Sequence, residues 1–168
     1  TEPQQYLNAA EAHKNVGEYA QAETYISKAL TQYEYDKERF HAGEEQTPAM
    51  VRACLLEGDV RAGQGKNKLA LESYDKAIKN DKDRFVKYPA VHMMVVGDHD
   101  IYLGMLKISP DVSLAYYKRG LLKEKLHDME AAHADYAKAV ELTNGYFAPA
   151  KEKLSKQYQG KTICDVCR

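Results

Sequence analysis

Small and bulky apolar residues alternate along this chain at helical steps, and they do so three times. In the first segment Ala10 precedes Ala22 by twelve positions, Ile26 follows four later and Ala29 three after that. Gly58, Ala70, Tyr74 and Ala77 keep the same spacing, and so do Gly120, Ala132, Tyr136 and Ala139. Steps of three and four put the last three members of each set on one face of a helix. Small residues there let two helices approach closely while the bulky one fills the space between them. Short links such as Asn15-Val16-Gly17-Glu18 and Gly63-Gln64-Gly65-Lys66 then fold each segment into an antiparallel helix pair.

Three segments with this small–bulky–small signature in register resemble the tetratricopeptide-repeat family. The resemblance spans most of residues 4–142 and is fullest in the third segment. It implies an all-α fold, a right-handed helical-repeat solenoid of about three to four antiparallel helix hairpins plus a C-terminal capping helix. The units are expected at roughly residues 4–40, 48–81, 85–110 (degenerate) and 111–143, with the cap at 145–158. Together they would form one domain over 1–160, followed by a tail at 161–168.

The family repeats every 34 residues, whereas Ile26 to Tyr74 is 48 and Tyr74 to Tyr136 is 62. The first excess is read as an overlong helix through Phe40 and a loop over 42–47, with Thr47-Pro48 opening the next helix. For the second, Tyr102 lies 34 residues before Tyr136, Met105 takes the alanine place and Ser109-Pro110 closes the segment. That step predicts a helix over Ile101–Ile108 with Tyr102 and Met105 facing the core. Between Pro89 and Gly97 it predicts a shortened helix over Tyr88–Gly97. Thr143-Asn144-Gly145 reads as a helix stop, and 146–158 as a final polar-faced helix, the cap a stacked array needs.

Composition narrows the function. The 168 residues suit one ordinary domain, and Lys+Arg 24 against Asp+Glu 25 lacks the basic excess of a general nucleic-acid binder. The longest apolar run, Val91 to Val96, falls far short of a membrane span, so no membrane insertion is expected. The first residues lack the build of a signal peptide, which predicts a cytoplasmic chain, or one exported and already processed.

Candidate chemistry is sparse. Gly63-Gln64-Gly65-Lys66 is followed by Asn67, not the hydroxyl a phosphate loop requires, and reads as a turn. His92, Asp98, His99 and Asp100 hold metal-type ligands, but neighbours in sequence do not share a helix face, and a polar turn or helix start capped by Asp98 or Asp100 is the simpler reading. His127 and His133 have no nucleophile at readable spacing. Cys54 lies in an apolar stretch and reads as a small buried thiol. Cys164 and Cys167 form Cys-x-x-Cys near the end of the sequence; a flexible tail is the simpler reading, the alternative being the start of a zinc or redox module for which the repeats are a targeting domain. No cofactor, metal or catalytic activity is expected.

In this family the first helix of each pair lines a concave groove in which a partner protein or peptide lies. Helical spacing places Leu7, Glu11 and Lys14 there from the first segment, Arg52, Leu55 and Asp59 from the second, and Leu114, Tyr117, Leu121 and Glu124 from the last. The leucines fit core packing equally well. One subfamily grips carboxylate tails with Lys-x-x-Gly-Asn, but Leu7, Leu55 and Tyr117 stand at the lysine place and Glu11, Asp59 and Leu121 at the asparagine place. A mixed apolar–polar groove for a protein segment is therefore expected, in a non-enzymatic adaptor, assembly or co-chaperone-like scaffold that could also self-associate.

Overall fold

The computed structural model describes residues 2–40, 47–82, 91–96, 99–105, 110–143 and 145–158. Helices α1 (Glu2–Asn15), α2 (Tyr19–Phe40), α3 (Thr47–Gly63) and α4 (Asn67–Lys82) precede strands β1 (Val91–Val96) and β2 (His99–Met105). Helices α5 (Pro110–Lys125), α6 (Met129–Leu142) and α7 (Ala148–Tyr158) follow. The chain divides into two compact units, Thr1–Pro89 and Ala90–Arg168. The all-α helical-repeat fold that the resemblance implies is the fold observed, interrupted among the described residues by one hairpin.

The three helix pairs close in the same way. Glu18, Lys66 and Asp128 each donate a backbone N–H to the carbonyl five residues back, at 2.9, 2.9 and 3.0 Å. The residue before each, Gly17, Gly65 or His127, donates to the carbonyl three back and has a left-handed φ of 81°, 75° or 64°. This is the Schellman closure, which satisfies the last carbonyls of the first helix and reverses the chain in few residues. Asp128 also caps α6, its Oδ1 accepting from the Ala131 N–H at 3.2 Å.

The alternating pattern is the packing pattern. Ala22, Ile26 and Ala29, then Ala70, Tyr74 and Ala77, then Ala132, Tyr136 and Ala139 are all buried. Glycine is required where the tyrosines cross. A Cβ on Gly58 would lie 2.4 Å from the Tyr74 ring, and one on Gly120 2.7 Å from the Tyr136 ring. In the first pair Ala10 faces the slimmer Ile26 within a core that also holds Leu7, Tyr33, Ala53, Leu56 and Val60. In the second unit Ala132, Tyr136, Ala139 and Ala150 form the core, with Phe147 and Leu154 packed against it. Thr143 ends α6, its Oγ1 donating to the Ala139 carbonyl at 3.0 Å and accepting from the Phe147 N–H at 3.2 Å.

Residues 85–110 correct the sequence expectation. Neither Ile101–Ile108 nor Tyr88–Gly97 is a helix: strands β1 and β2 pair antiparallel there, with Met93 opposite Tyr102, Met94 opposite Ile101, Val95 opposite Asp100 and Val96 opposite His99. The ladder is irregular between Val91 and Met93. The physical reason is local. Three valines crowd β1, where stiff β-branched side chains favour extended backbone over helix. Gly97-Asp98, the two residues between the strands, are hairpin-turn residues in kind. The 34-residue step to Tyr136 is not carried by a repeat, and the placement of the Tyr102 and Met105 side chains lies outside what is described.

Candidate functional site

In the first unit, α1 and α3 lie side by side, and the polar candidates meet across them. Arg52 Nη2 donates to Glu11 Oε2 at 2.7 Å, and Lys14 Nζ stands 3.7 Å from Asp59 Oδ2. The first pair is nearly half exposed (43% and 44%), the second more enclosed. Asp59 also accepts from the Tyr74 hydroxyl at 2.9 Å, so this carboxylate is fixed from the second helix of its own pair. Burial and the Asp59 charge push the Tyr74 phenol far above its ordinary range. Leu7 and Leu55 do not join this surface. Both are buried, which is the packing role their spacing equally allowed.

In the second unit Glu124 gathers two donors. The Tyr136 hydroxyl donates to its Oε2, and Lys153 Nζ on α7 lies 3.0 Å from both carboxylate oxygens. The Tyr136 hydrogen bond, with Lys153 assisting against burial, holds Glu124 below the usual carboxylate range. Tyr117 is half-buried, its ring 5.2 Å from Phe147 edge-on at 74° and 5.7 Å from Tyr136. Leu114 and Leu121 are half-buried too, and Leu121 packs against the core. An open cleft of about 310 Å³ lies over Tyr117, completed by Ala148, Pro149, Glu152, Lys153 and Lys156 of α7.

Counting from the small residue of each first helix, Lys14 and Glu124 hold the same place. Each pairs with an opposite charge on the helix that follows its own pair, Asp59 on α3 or Lys153 on the capping helix α7. Lys153 escaped the sequence reading, although its charge on the capping helix was a signal.

Two further networks also escaped it. Ser73, the residue before the core tyrosine of α4, accepts from Arg61 Nη1 at 2.7 Å and lies 3.0 Å from Glu57 Oε2, while Arg61 and Glu57 pair at 2.7 Å. Asp135, the residue before the core tyrosine of α6, is 6% exposed and takes Arg119 Nε at 2.9 Å and Lys123 Nζ at 2.9 Å. Arg119 and Lys123 occupy the places of Glu57 and Arg61, so the acid sits on the first helix in one network and on the second helix in the other.

Burial pushes the Cys54 thiol up to about 11, and Asn80 Nδ2 donates to its sulfur at 3.7 Å, as befits a packed rather than reactive thiol. His92 lies in β1 and His99 and Asp100 in β2, so Asp100 does not cap a helix; Asp98, Cys164 and Cys167 lie outside the described residues. Among the described residues there is no group of three or more His, Cys, Asp or Glu side chains that could hold a metal, and no helix long and apolar enough to cross a membrane.

Comparison with known proteins accounts for this geometry. No curated protein matches the chain. The tetratricopeptide-repeat family model matches residues 51–84 and 114–146, the stretches that hold the α3–α4 and α5–α6 pairs. Repeats of this kind generally mediate protein–protein interaction. The two matched stretches are tetratricopeptide repeats, and α1–α2 shares their turn and their spacing.

Proposed function

We propose that this protein is a non-catalytic scaffold, an adaptor or assembly factor, that holds a segment of a partner protein against the exposed faces of its first helices. The observation that carries the reading is the row of half-exposed side chains on those helices. Glu11, Lys14, Arg52 and Asp59 form it in the first unit, and Leu114, Tyr117, Leu121 and Glu124 in the second. Two of them, Asp59 and Glu124, are anchored by the Tyr74 and Tyr136 hydroxyls, so a partner would meet fixed groups there and lose little rotamer freedom in ordering them. Leu7 and Leu55 support the surface from the core.

The test is differential retention. Proteins held by the immobilised wild-type chain are identified by mass spectrometry, then measured with Arg52→Glu, Tyr117→Ala and, as control, Lys138→Glu on α6. Each of the first two should lower retention of the same protein at least tenfold, and the control should leave it unchanged. Equal retention in all three would remove the first helices as the binding surface.

A further inference from the structure

The charges on these faces are already spent on one another. Glu11 pairs with Arg52, Lys14 with Asp59, Glu124 with Lys153 and Glu152 with Lys156, at 2.7, 3.7, 3.0 and 2.6 Å. A partner of one charge sign would have to break such a pair for each pair it made, and the exchange in water is close to neutral. Selection by net charge is therefore weak here. The cleft between α5 and α7 offers something else. It is lined by Tyr117, whose ring packs on Phe147 and Tyr136, and by Ala148, Pro149, Glu152, Lys153 and Lys156. At about 310 Å³ it stands at the small end of ligand sites, the size for one large side chain rather than a whole ligand. A ring seated there would stack or pack edge-on against Tyr117, an interaction that an aliphatic side chain cannot make.

From this we infer that the α5–α7 cleft seats one aromatic side chain of the partner segment, an uncharged anchor at a surface whose charges cancel. The inference rests on the scaffold reading and adds the chemistry of what is bound.

The isotope-labelled full chain is titrated, by amide NMR, with N-acetyl-tryptophanamide and with the corresponding leucine, glutamate and lysine amides. Saturable shifts centred on Tyr117 and residues 148–156 are expected from the tryptophan probe at millimolar concentration, with at least fivefold weaker effects from the other three. Tyr117→Phe should keep the response. Ala148→Trp, at an exposed position and so compatible with folding, should fill the cleft and abolish it. A glutamate or lysine probe that binds as well as tryptophan would overturn the inference, and so would the absence of any saturable tryptophan shift. The two readings fail separately. A retained partner lost with Arg52→Glu but unaffected by Ala148→Trp would leave the scaffold standing and remove the aromatic anchor.

Discussion

Gly120 has no room for a methyl group, because its would-be Cβ falls 2.7 Å from the Tyr136 ring and 3.2 Å from the Ala132 carbonyl oxygen. Gly120→Ala should therefore push α5 away from α6 and cost about 2 kcal/mol in urea unfolding. Adding Tyr136→Leu should make the glycine substitution nearly free, and an undiminished penalty would show that the ring is not the obstacle. His127 makes the opposite case. It occupies the left-handed position that Gly17 and Gly65 fill in the other two turns, at φ 64°. A side chain in that conformation costs about 1 kcal/mol or more, part of which glycine returns as unfolded-state entropy, so His127→Gly should stabilise by about 0.5 kcal/mol. A loss of stability would mean that the imidazole makes a contact worth more than the strain.

Helix pairs are where the sequence was most readable, because one small–bulky–small stripe both marks each pair and packs it. Ala10, Gly58 and Gly120 announced the crossings, and each faces the residue that the spacing of twelve and four implies. The candidate surface was half legible. Helical spacing placed Glu11, Lys14, Arg52 and Asp59 together, but it could not tell that they neutralise one another, since pairing across two helices depends on how those helices stack. Leu7 and Leu55 share the spacing of groove residues yet are buried, for the same reason. The hairpin departs from the sequence expectation because local β propensity decides these residues and the 34-residue step is a coincidence. Asp135 matters at this scale, since it joins α6 to α5 through Arg119 and Lys123 while almost wholly buried. Asp135→Asn keeps the shape but removes the carboxylate that Arg119 and Lys123 share, and it should cost about 3 kcal/mol. A change below about 0.5 kcal/mol would mean that water reaches the pair freely.

Across the whole molecule, the perturbed groups set where stability should depend on pH. Cys54 is held protonated, so its contribution is complete below the ordinary thiol range and is lost as pH rises towards about 11. The phenols of Tyr74 and Tyr136, both raised, act in the same direction at still higher pH. Glu124 is lowered, so its contribution is present above the ordinary carboxylate range and disappears as pH falls through its folded value. Urea midpoints should thus form a plateau from about pH 5 to about pH 8 with a fall on either side. A steep change between pH 6 and 8 would instead assign control to a histidine.

Helix pairs of the same shape in one chain face a hazard during folding, since the first helix of one can meet the second helix of another. The two polar networks would oppose that error. Were α3 to pair with α6, Glu57 would confront Asp135 with only Arg61 to separate them. Were α5 to pair with α4, Arg119 and Lys123 would face Ser73 and find no acid at all. Either mismatch buries uncompensated charge, a penalty of several kcal/mol that the correct pairings avoid. The exchange of one acid between helices thus works as an address, by which two repeats of the same shape are kept from trading halves.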